Sequence, residues 1–474
     1  MPTENSSQQT GPQSKGDKHL VRRAVTVLIA ASGLWLLLFP PDGLPPSQAK
    51  ALALGVIAIG YWATGVVPEH LTALLLFLLA MLLDAAPPRT IFSGFFSGAL
   101  WLVYAGLILG LAVKSTGLGE RVARRLAQRL GGSYTGLIGG IVLVGVILGF
   151  VMPSSMGRVI LLVPIALAVA EHFGFEHGSN GRTGMVLAAA FGAHVPTFAI
   201  LPANVPNMVL VGASETIYAI SPMYGQYLLL HFPILGLLKA LAIIALIARL
   251  FPDRPRVRRE TPTPLAPLSG QERTLAWVLT AALILWMTDF IHHISPAWVA
   301  LGAALFLLWP GIDVVSGRQF SRDLNYGSLF FVAGVMGLGA MVSESGLGGR
   351  LAHELLSVIP LERGHPALNY LSLTFTSLVT GMVTTLPGVP AVLTPLAGTM
   401  AKATGLPLKT VLMTQVLGFS TTILPYQSAS LVVGMQMAGE RLGPSVKLCL
   451  ILAFITLVLF MPLDFLWWRL LGWI

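Results

Sequence analysis

Charge is what this chain has least of. Asp, Glu, Lys and Arg make up 10% of its 474 residues while 55% are hydrophobic, against roughly 25% charged in a soluble domain. A water-soluble fold is excluded, because one compact core could not hide so much apolar surface. The single cysteine, Cys449, lies in an apolar run, which excludes an intrachain disulfide and a cysteine metal cluster. A Ser/His/Asp arrangement in a suitable context, a paired-histidine metal motif and a phosphate-binding glycine loop with its Gly-Lys-Ser/Thr are also lacking. That argues against an enzyme and against ATP drive by this chain. The formal charge of +9 comes from basic residues scattered over short loops without interleaved aromatics. Such a pattern orients a protein in a bilayer and does not bind nucleic acid.

What is present is a series of apolar runs, at about 24–40, 50–66, 70–84, 98–113, 134–151, 157–173, 183–212 and 227–250. After a polar stretch they resume at about 274–291, 296–310, 327–342, 367–383, 388–403, 408–434 and 444–468. Crossing the hydrocarbon takes about 20 helical residues, so the chain reads as an all-α polytopic membrane protein with about 11 transmembrane spans. The 50 glycines and 32 prolines sit within these runs, as in kinked or broken membrane helices.

Residues 1–20 are polar and read as a disordered tail, followed by a leading helix and loop at 21–49. The basic start (Lys15, Lys18, Arg22, Arg23) resembles a signal peptide, with Ala49-Lys50-Ala51 as a weak cleavage site. The run is long for such a segment, and Pro40, Pro41, Pro45 and Pro46 intervene, so a retained first span is expected.

The rest is duplicated. Lys114 to Leu126 and Ser343 to Leu355 share Gly117/Gly346, Leu118/Leu347, Gly119/Gly348, Arg121/Arg350, Ala123/Ala352 and Leu126/Leu355. Pro164 and Gly174 recur as Pro395 and Gly405, and Ile200-Leu201-Pro202 recurs as Ile423-Leu424-Pro425, each followed by an amide, Asn204 or Gln427. The matches keep one order at nearly constant offset. They define a first repeat at 50–250, an arginine- and proline-rich linker at 251–273, and a second repeat at 274–474. With a cytoplasmic N-terminus and alternating spans, the basic residues gather on the cytoplasmic side. Lys114 then lies inside and its counterpart Ser343 outside, so the repeats are inverted, as in many secondary transporters.

In each half a short amphipathic stretch, Gly119 to Leu130 or Gly348 to Val358, precedes two apolar limbs. It would lie along the interface. The limbs join at tips around Pro153-Ser154-Ser155 and Thr384-Thr385-Leu386-Pro387. Limb length fits either full spans or re-entrant helical hairpins. Ser154 or Ser155, and Thr384 or Thr385, are helix-start residues, and a helix beginning inside the membrane turns a partial positive charge and free N–H groups toward an anion. A surface turn would use the same residues simply to end helices. Arg158, beside the first tip, needs a cavity, an anion or headgroups to be stable in lipid. Two further spans are interrupted at Gly192 to Asn207 and Gly418 to Ser430. These breaks carry Thr197, Asn204 and Asn207, then Thr421, Gln427 and Ser428, and unwound backbone there offers carbonyls to a cation and amides or hydroxyls to a substrate. Asp289, His292, His293 and Glu344 read as interfacial, while Lys239 and His231 either line a cavity or snorkel.

These features resemble the divalent anion:sodium symporter family, in the wider superfamily that includes arsenite and sodium/proton antiporters. The resemblance covers about 50–472 and rests on the inverted repeat, the hairpins ending in Pro164 and Pro395, and the break ending at Asn207. It implies a homodimer with a scaffold domain and an elevator-like transport domain, carrying dicarboxylate, citrate or sulfate. Family tips typically carry Ser-Asn-Thr, which binds substrate carboxylate and helps to build a sodium site. Here Ser154-Ser155-Met156 and Thr385-Leu386-Pro387 stand in those places, and neither has the asparagine. Arg158 occupies a position usually small or hydroxylated, where a fixed charge would partly replace bound sodium, as in exchangers of the family.

The expected protein is thus a secondary transporter of small anions in the cell's inner membrane, with no cofactor beyond a sodium ion or proton as coupling ion. Its expected substrate site is Ser154, Ser155, Arg158, Thr384, Thr385, Asn204, Asn207, Gln427 and Ser428. Sodium is expected near Ser154, Ser155, Thr385, Thr197 and Thr421. The alternatives are a cation/proton or arsenite transporter of the same superfamily, or an anion channel.

Overall fold

The structure is a computed structural model that describes residues 13–122, 125, 133–255 and 266–474, and every regular element among them is helical. Helix α1 (Gln13–Leu38) opens inside the stretch expected to be a disordered tail; residues 1–12 lie outside the described residues. It packs along α2 (Pro46–Thr64). Only 6% of its Val21–Leu38 window is buried, so the described rest of the chain leaves nearly the whole apolar surface of this helix uncovered.

The first half continues with α3 (Glu69–Leu82), α4 (Gly98–Thr116), α5 (Tyr134–Gly149), α6 (Ser155–His172), α7 (Asn180–His194), α8 (Val205–Tyr218) and α9 (Tyr224–Leu250). The second runs α10 (Gly270–Met287), α11 (Pro296–Leu308), α12 (Tyr326–Glu344), α13 (Leu347–Leu356), α14 (Pro366–Val383), α15 (Gly388–Thr404), α16 (Leu408–Phe419), α17 (Ala429–Met437) and α18 (Leu442–Leu470). The order of elements recurs. Two outer helices lead to a long helix, a paired set of limbs, a helix interrupted by extended backbone, and a last helix with a π-helical turn, Phe232–Leu238 in α9 and Thr456–Phe460 in α18. The matched glycines are the left-handed stops of this plan: Gly117 and Gly346 have φ of 76° and 77°, and Gly174 and Gly405 have 71° and 74°. A Cβ is disfavoured in that conformation.

Among the described residues, six helices are long and apolar enough to cross a bilayer unaided, including α4, α6, α9, α12 and α18. Helices α14 and α15 pass that test only together and are bent by 119° at their junction, which sends the chain back toward the side it came from. Five residues, 150–154, separate α5 from α6, and these limbs pack on each other and on α7. Counting both pairs as re-entrant and each interrupted helix once leaves the crossings α1, α2, α3, α4, α7–α8, α9, α10, α11, α12, α16–α17 and α18, the number expected from the sequence. Of the two amphipathic stretches, α13 is a helix, whereas residues 123–124 and 126–132 of the first lie outside the described residues.

Small residues set the packing where hydrophobic area cannot, since lipid is as apolar as leucine. A Cβ on Gly192 of α7 would lie 2.7 Å from the Val142 Cα of α5, so the two backbones touch. The matching Gly418 of α16 sits against Ser377 of α14. In each half, therefore, a glycine just ahead of the break seats it on the first limb of its own hairpin. The second half-helices cross over. Helix α17 packs on α6 and α7, with Gly434 close to Val159 and Ala190, while α8 packs on the start of α15. There the Tyr218 hydroxyl donates to the Thr394 carbonyl (2.9 Å) and accepts from the Gly398 N–H (3.0 Å). This exchange ties both hairpins and both breaks into one body.

Asp289, just past the end of α10, is 2% exposed, and its Oδ2 accepts from the N–H of Tyr224 at 2.6 Å and of Gly225 at 3.4 Å. The end of α10 thus supplies the anion for the first turn of α9, whose N–H groups have no intrahelical acceptor.

Candidate substrate and cation site

The first tip begins as expected. The Ser154 hydroxyl accepts from the Gly157 N–H at 3.1 Å and caps α6, with Ser155 as the first helical residue. Both serines are half-buried. The second tip differs. The Thr384 hydroxyl donates back to the Thr380 carbonyl at 2.8 Å, so it extends α14 instead of capping α15. The Thr385 carbonyl accepts from Gly388 N–H at 2.9 Å, and α15 starts after Pro387, which has no side-chain cap. Thr384 and Thr385 are both half-buried at the tip. The first turn of α15 therefore keeps its N–H groups free of a hydroxyl cap.

Arg158 is fully buried and entirely engaged by the protein. Nε donates to Ala193 O (2.9 Å) and Nη1 to Ala203 O (2.9 Å) and to Met152 O. Nη2 donates to Thr197 Oγ1 (2.9 Å) and Asn204 Oδ1 (3.2 Å). All five guanidinium N–H donors have an oxygen. In this arrangement none is free to fork onto a carboxylate, and the guanidinium lies bonded within the first break. Thr197, expected near sodium, accepts from this guanidinium and from Asn204 Nδ2 (3.1 Å), and donates to His194 O (2.7 Å). Asn204 is tied into the same cluster through both atoms of its amide. Asn207 braces the break by donating to Phe198 O (3.0 Å) and Ile200 O (2.9 Å), and its buried Oδ1 has no partner.

The second break is held differently. Gln427 Oε1 accepts from the N–H of Ile423 (2.7 Å) and Leu424 (2.9 Å), while its Nε2 donates to Gly381 O (2.9 Å), hooking the break to the end of α14. Ser428 and Ser430 hydroxyls lie 2.9 Å apart, and Ser430 Oγ is 3.3 Å from His194 Nδ1. That contact joins the two breaks. His194 Nε2 and Thr422 Oγ1 are buried without partners. Thr421, the other expected sodium ligand, accepts from Lys239 Nζ at 3.4 Å and donates to Leu417 O at 2.8 Å. The structure thus joins Arg158, Thr197 and Asn204 in one cluster, and Gln427 and Ser428 in contacts at the second break.

Sequence reasoning missed the partnership of Lys239 with Thr421 and the place of Asp464. A carboxylate inside the apolar run 444–468 was the available signal. His194 was legible as part of the break, but not as the bridge to Ser430.

Two pairs of limbs and two interrupted helices thus meet in one packed body. Residues 59–423 match the profile of the citrate transporter family, CitMHS. The chain belongs to that family. Its members are transporters rather than enzymes, and the chain is an integral membrane protein. The chain is 26% identical to a membrane protein of Cupriavidus necator, over 94% of this chain and 92% of that one. It is 24% identical to the sodium-dependent dicarboxylate transporter SdcS of Staphylococcus saprophyticus, over 78% of this chain and 76% of that one. With the SdcS of Staphylococcus aureus it shares 22% identity over 69% and 68%. Its fold is similar to the crystal structure of the Alcanivorax borkumensis YdaH transporter, with TM-score 0.55 and 16% identity over 90% of this chain and 99% of that one. The resemblance read from the repeats and tips agrees with these relatives.

Proposed function

We propose that this citrate transporter family member moves citrate or a small dicarboxylate across a bacterial plasma membrane by alternating access, without needing sodium at the first break. The observation that carries this reading is the Arg158 cluster. A guanidinium bonded by three backbone carbonyls, a hydroxyl and an amide oxygen of the hairpin and break has the donor set that unwound transporter helices offer to a small cation. A fixed positive charge there supplies, without a mobile ion, the field that holds a carboxylate near the capped start of α6.

Substrate contacts go to the tips and to the second break: Ser154, Ser155, Thr384 and Thr385, with Gln427 and Ser428 beside them. The cluster's Asn204 and the brace Asn207 keep the first break in shape. The interleaved hairpins and breaks form the moving body, and α2, α3, α10 and α11 form the frame of a dimer, with 50–250 and 274–474 as inverted repeats and the N-terminus cytoplasmic. Charge placement in the loops and the recurring element order support this arrangement.

The test is exchange in liposomes. Purified protein, preloaded with unlabelled citrate, succinate or sulfate and placed in sodium-free medium, is expected to take up the labelled form of at least one of them. Ser154→Ala and Gln427→Ala are expected to raise the half-saturating concentration. Exchange of none of these anions, with or without sodium, refutes the reading.

A further inference from the structure

The second break contains a cation of its own. Lys239 is 1% exposed, and its Nζ donates to Ser420 O (3.1 Å), Ser420 Oγ (3.2 Å) and Thr421 Oγ1 (3.4 Å), across 181 and 182 residues of sequence. Ser420 O lies at the C-terminal end of α16, where a helix presents partial negative charge. Lys239 directly follows the π turn of α9, and Asp464 lies in the first turn after the π turn of α18. The two π turns pack against each other. Extra-wide turns of this kind recur at functional positions.

The two buried cations are not equivalent. Arg158 has five bonds and cannot lose its proton in a protein. Lys239 has three contacts of 3.1–3.4 Å, longer than the roughly 2.7–2.9 Å of a strong charge-assisted bond, and among the described residues no carboxylate lies within 4.0 Å of it. An ammonium buried so loosely is costly, and a primary amine can release its proton. Asp464 is the buried carboxyl of α18, beyond the π turn that packs on that of α9. That carboxyl is fully buried, accepts from the Tyr370 hydroxyl of α14 at 2.8 Å through Oδ2, and has no partner at Oδ1. Helix α7 brings His194, bonded to Ser430, and α6 brings Arg158. Tyr134 is the sole ionisable residue of α5 and sits at its start. On α9 itself, His231 lies against Tyr227 and Trp468 with both ring nitrogens unpartnered. Lys239 also lines a small cavity of about 10 Å³, bounded by Phe191, Val195, Thr421, Thr422 and Thr456, about the size that holds one water.

We propose that Lys239 is the proton-carrying residue of the transport cycle: its ammonium holds the second break at Ser420–Thr421, and release of one proton frees it. On the loading side Nζ takes a proton from water and an N–H bond forms. On the other side that bond breaks, the proton passes to water in the cavity, and the neutral amine accepts a hydrogen bond from the Ser420 or Thr421 hydroxyl. Anion uptake then brings in a proton where a sodium-coupled relative would bring in sodium. This inference rests on the transporter reading above.

Exchange of citrate or succinate at equal pH on both sides tests transport itself. Net uptake in sodium-free liposomes with an acidic exterior tests the proton step, with a trapped pH dye reading proton entry. Wild type is expected to take up anion at least several-fold faster under the gradient, with proton entry that needs the anion. Lys239→Arg keeps the charge but not the release, so it is expected to exchange, more slowly, and to ignore the gradient; an amine with only a structural role would be rescued by arginine. Asp464→Asn is expected to shift the pH of half-maximal net uptake. Exchange in wild type without any gradient response, or a Lys239→Arg variant that follows the gradient like wild type, overturns the proposal while leaving the transporter reading intact. Absence of exchange overturns both.

Discussion

Arg158→Ala is the sharpest perturbation of the first break. It removes five donors at once and leaves the oxygens of Met152, Ala193, Ala203, Thr197 and Asn204 around a hole the size of a guanidinium. Deleting one side of a buried charged network costs about 3–5 kcal/mol, so the variant is expected to melt clearly below wild type. The hole is also a ring of oxygens suited to a hard cation. If sodium enters it, stability recovers by RT ln(1 + [Na⁺]/Kd), about 1.4 kcal/mol at ten times Kd and about 2.7 kcal/mol at a hundred times. The assay is thermal unfolding in detergent, with sodium, potassium or choline as the chloride, followed by uptake in the same salts. Sodium is expected to raise the melting temperature of the variant more than that of wild type, and to stimulate its uptake. A variant as stable as wild type, or one whose melting is blind to sodium while wild type responds, would refute the idea that Arg158 stands in a cation's place.

Three smaller predictions follow from the frame around the site. Asp289→Ala removes the anion from the start of α9, where Oδ2 accepts two N–H groups, and should cost about 1 kcal/mol as lost caps do; Asp289→Asn should recover most of it in thermal unfolding. Gly192→Ala forces a methyl against the Val142 backbone, an overpacking expected to cost about 1–3 kcal/mol, and fluorescence-detected size exclusion should report less folded protein. Ahead of the apolar run at 274–291, Arg121 Nε lies 2.6 Å from Glu272 Oε1 and holds that carboxyl below its usual range. The contact therefore stabilises the fold above about pH 4.3, the ordinary glutamate value, and is lost as pH falls through the lowered folded value. An acid titration of the melting temperature should show that loss in wild type and not in Glu272→Gln.

Much of the architecture was legible because it depends on local rules. Gly117, Gly346, Gly174 and Gly405 repeat in sequence because each ends a helix with positive φ, a requirement of one residue's backbone. The breaks were visible as proline and polar residues inside apolar runs. The second tip was misread, since Thr384 has an alternative acceptor in the Thr380 carbonyl of its own helix, and composition cannot say which acceptor a hydroxyl will choose. The role of Asp289 was hidden for a related reason: its position at a span end says nothing of the neighbouring helix start that it serves.

By itself the sequence determined a helical membrane protein, its duplicated order, and the points where helices start, stop and unwind, because hydropathy, glycine and proline act within a few residues. The tertiary structure decided the partners of the charges. Arg158 bonds to residues 35 to 46 positions away, and Lys239 to residues in the other half. In a medium without water a buried cation takes whatever oxygens packing brings within reach, and only the packing of α6 on α7, and the approach of α9 to the end of α16, specifies which those are.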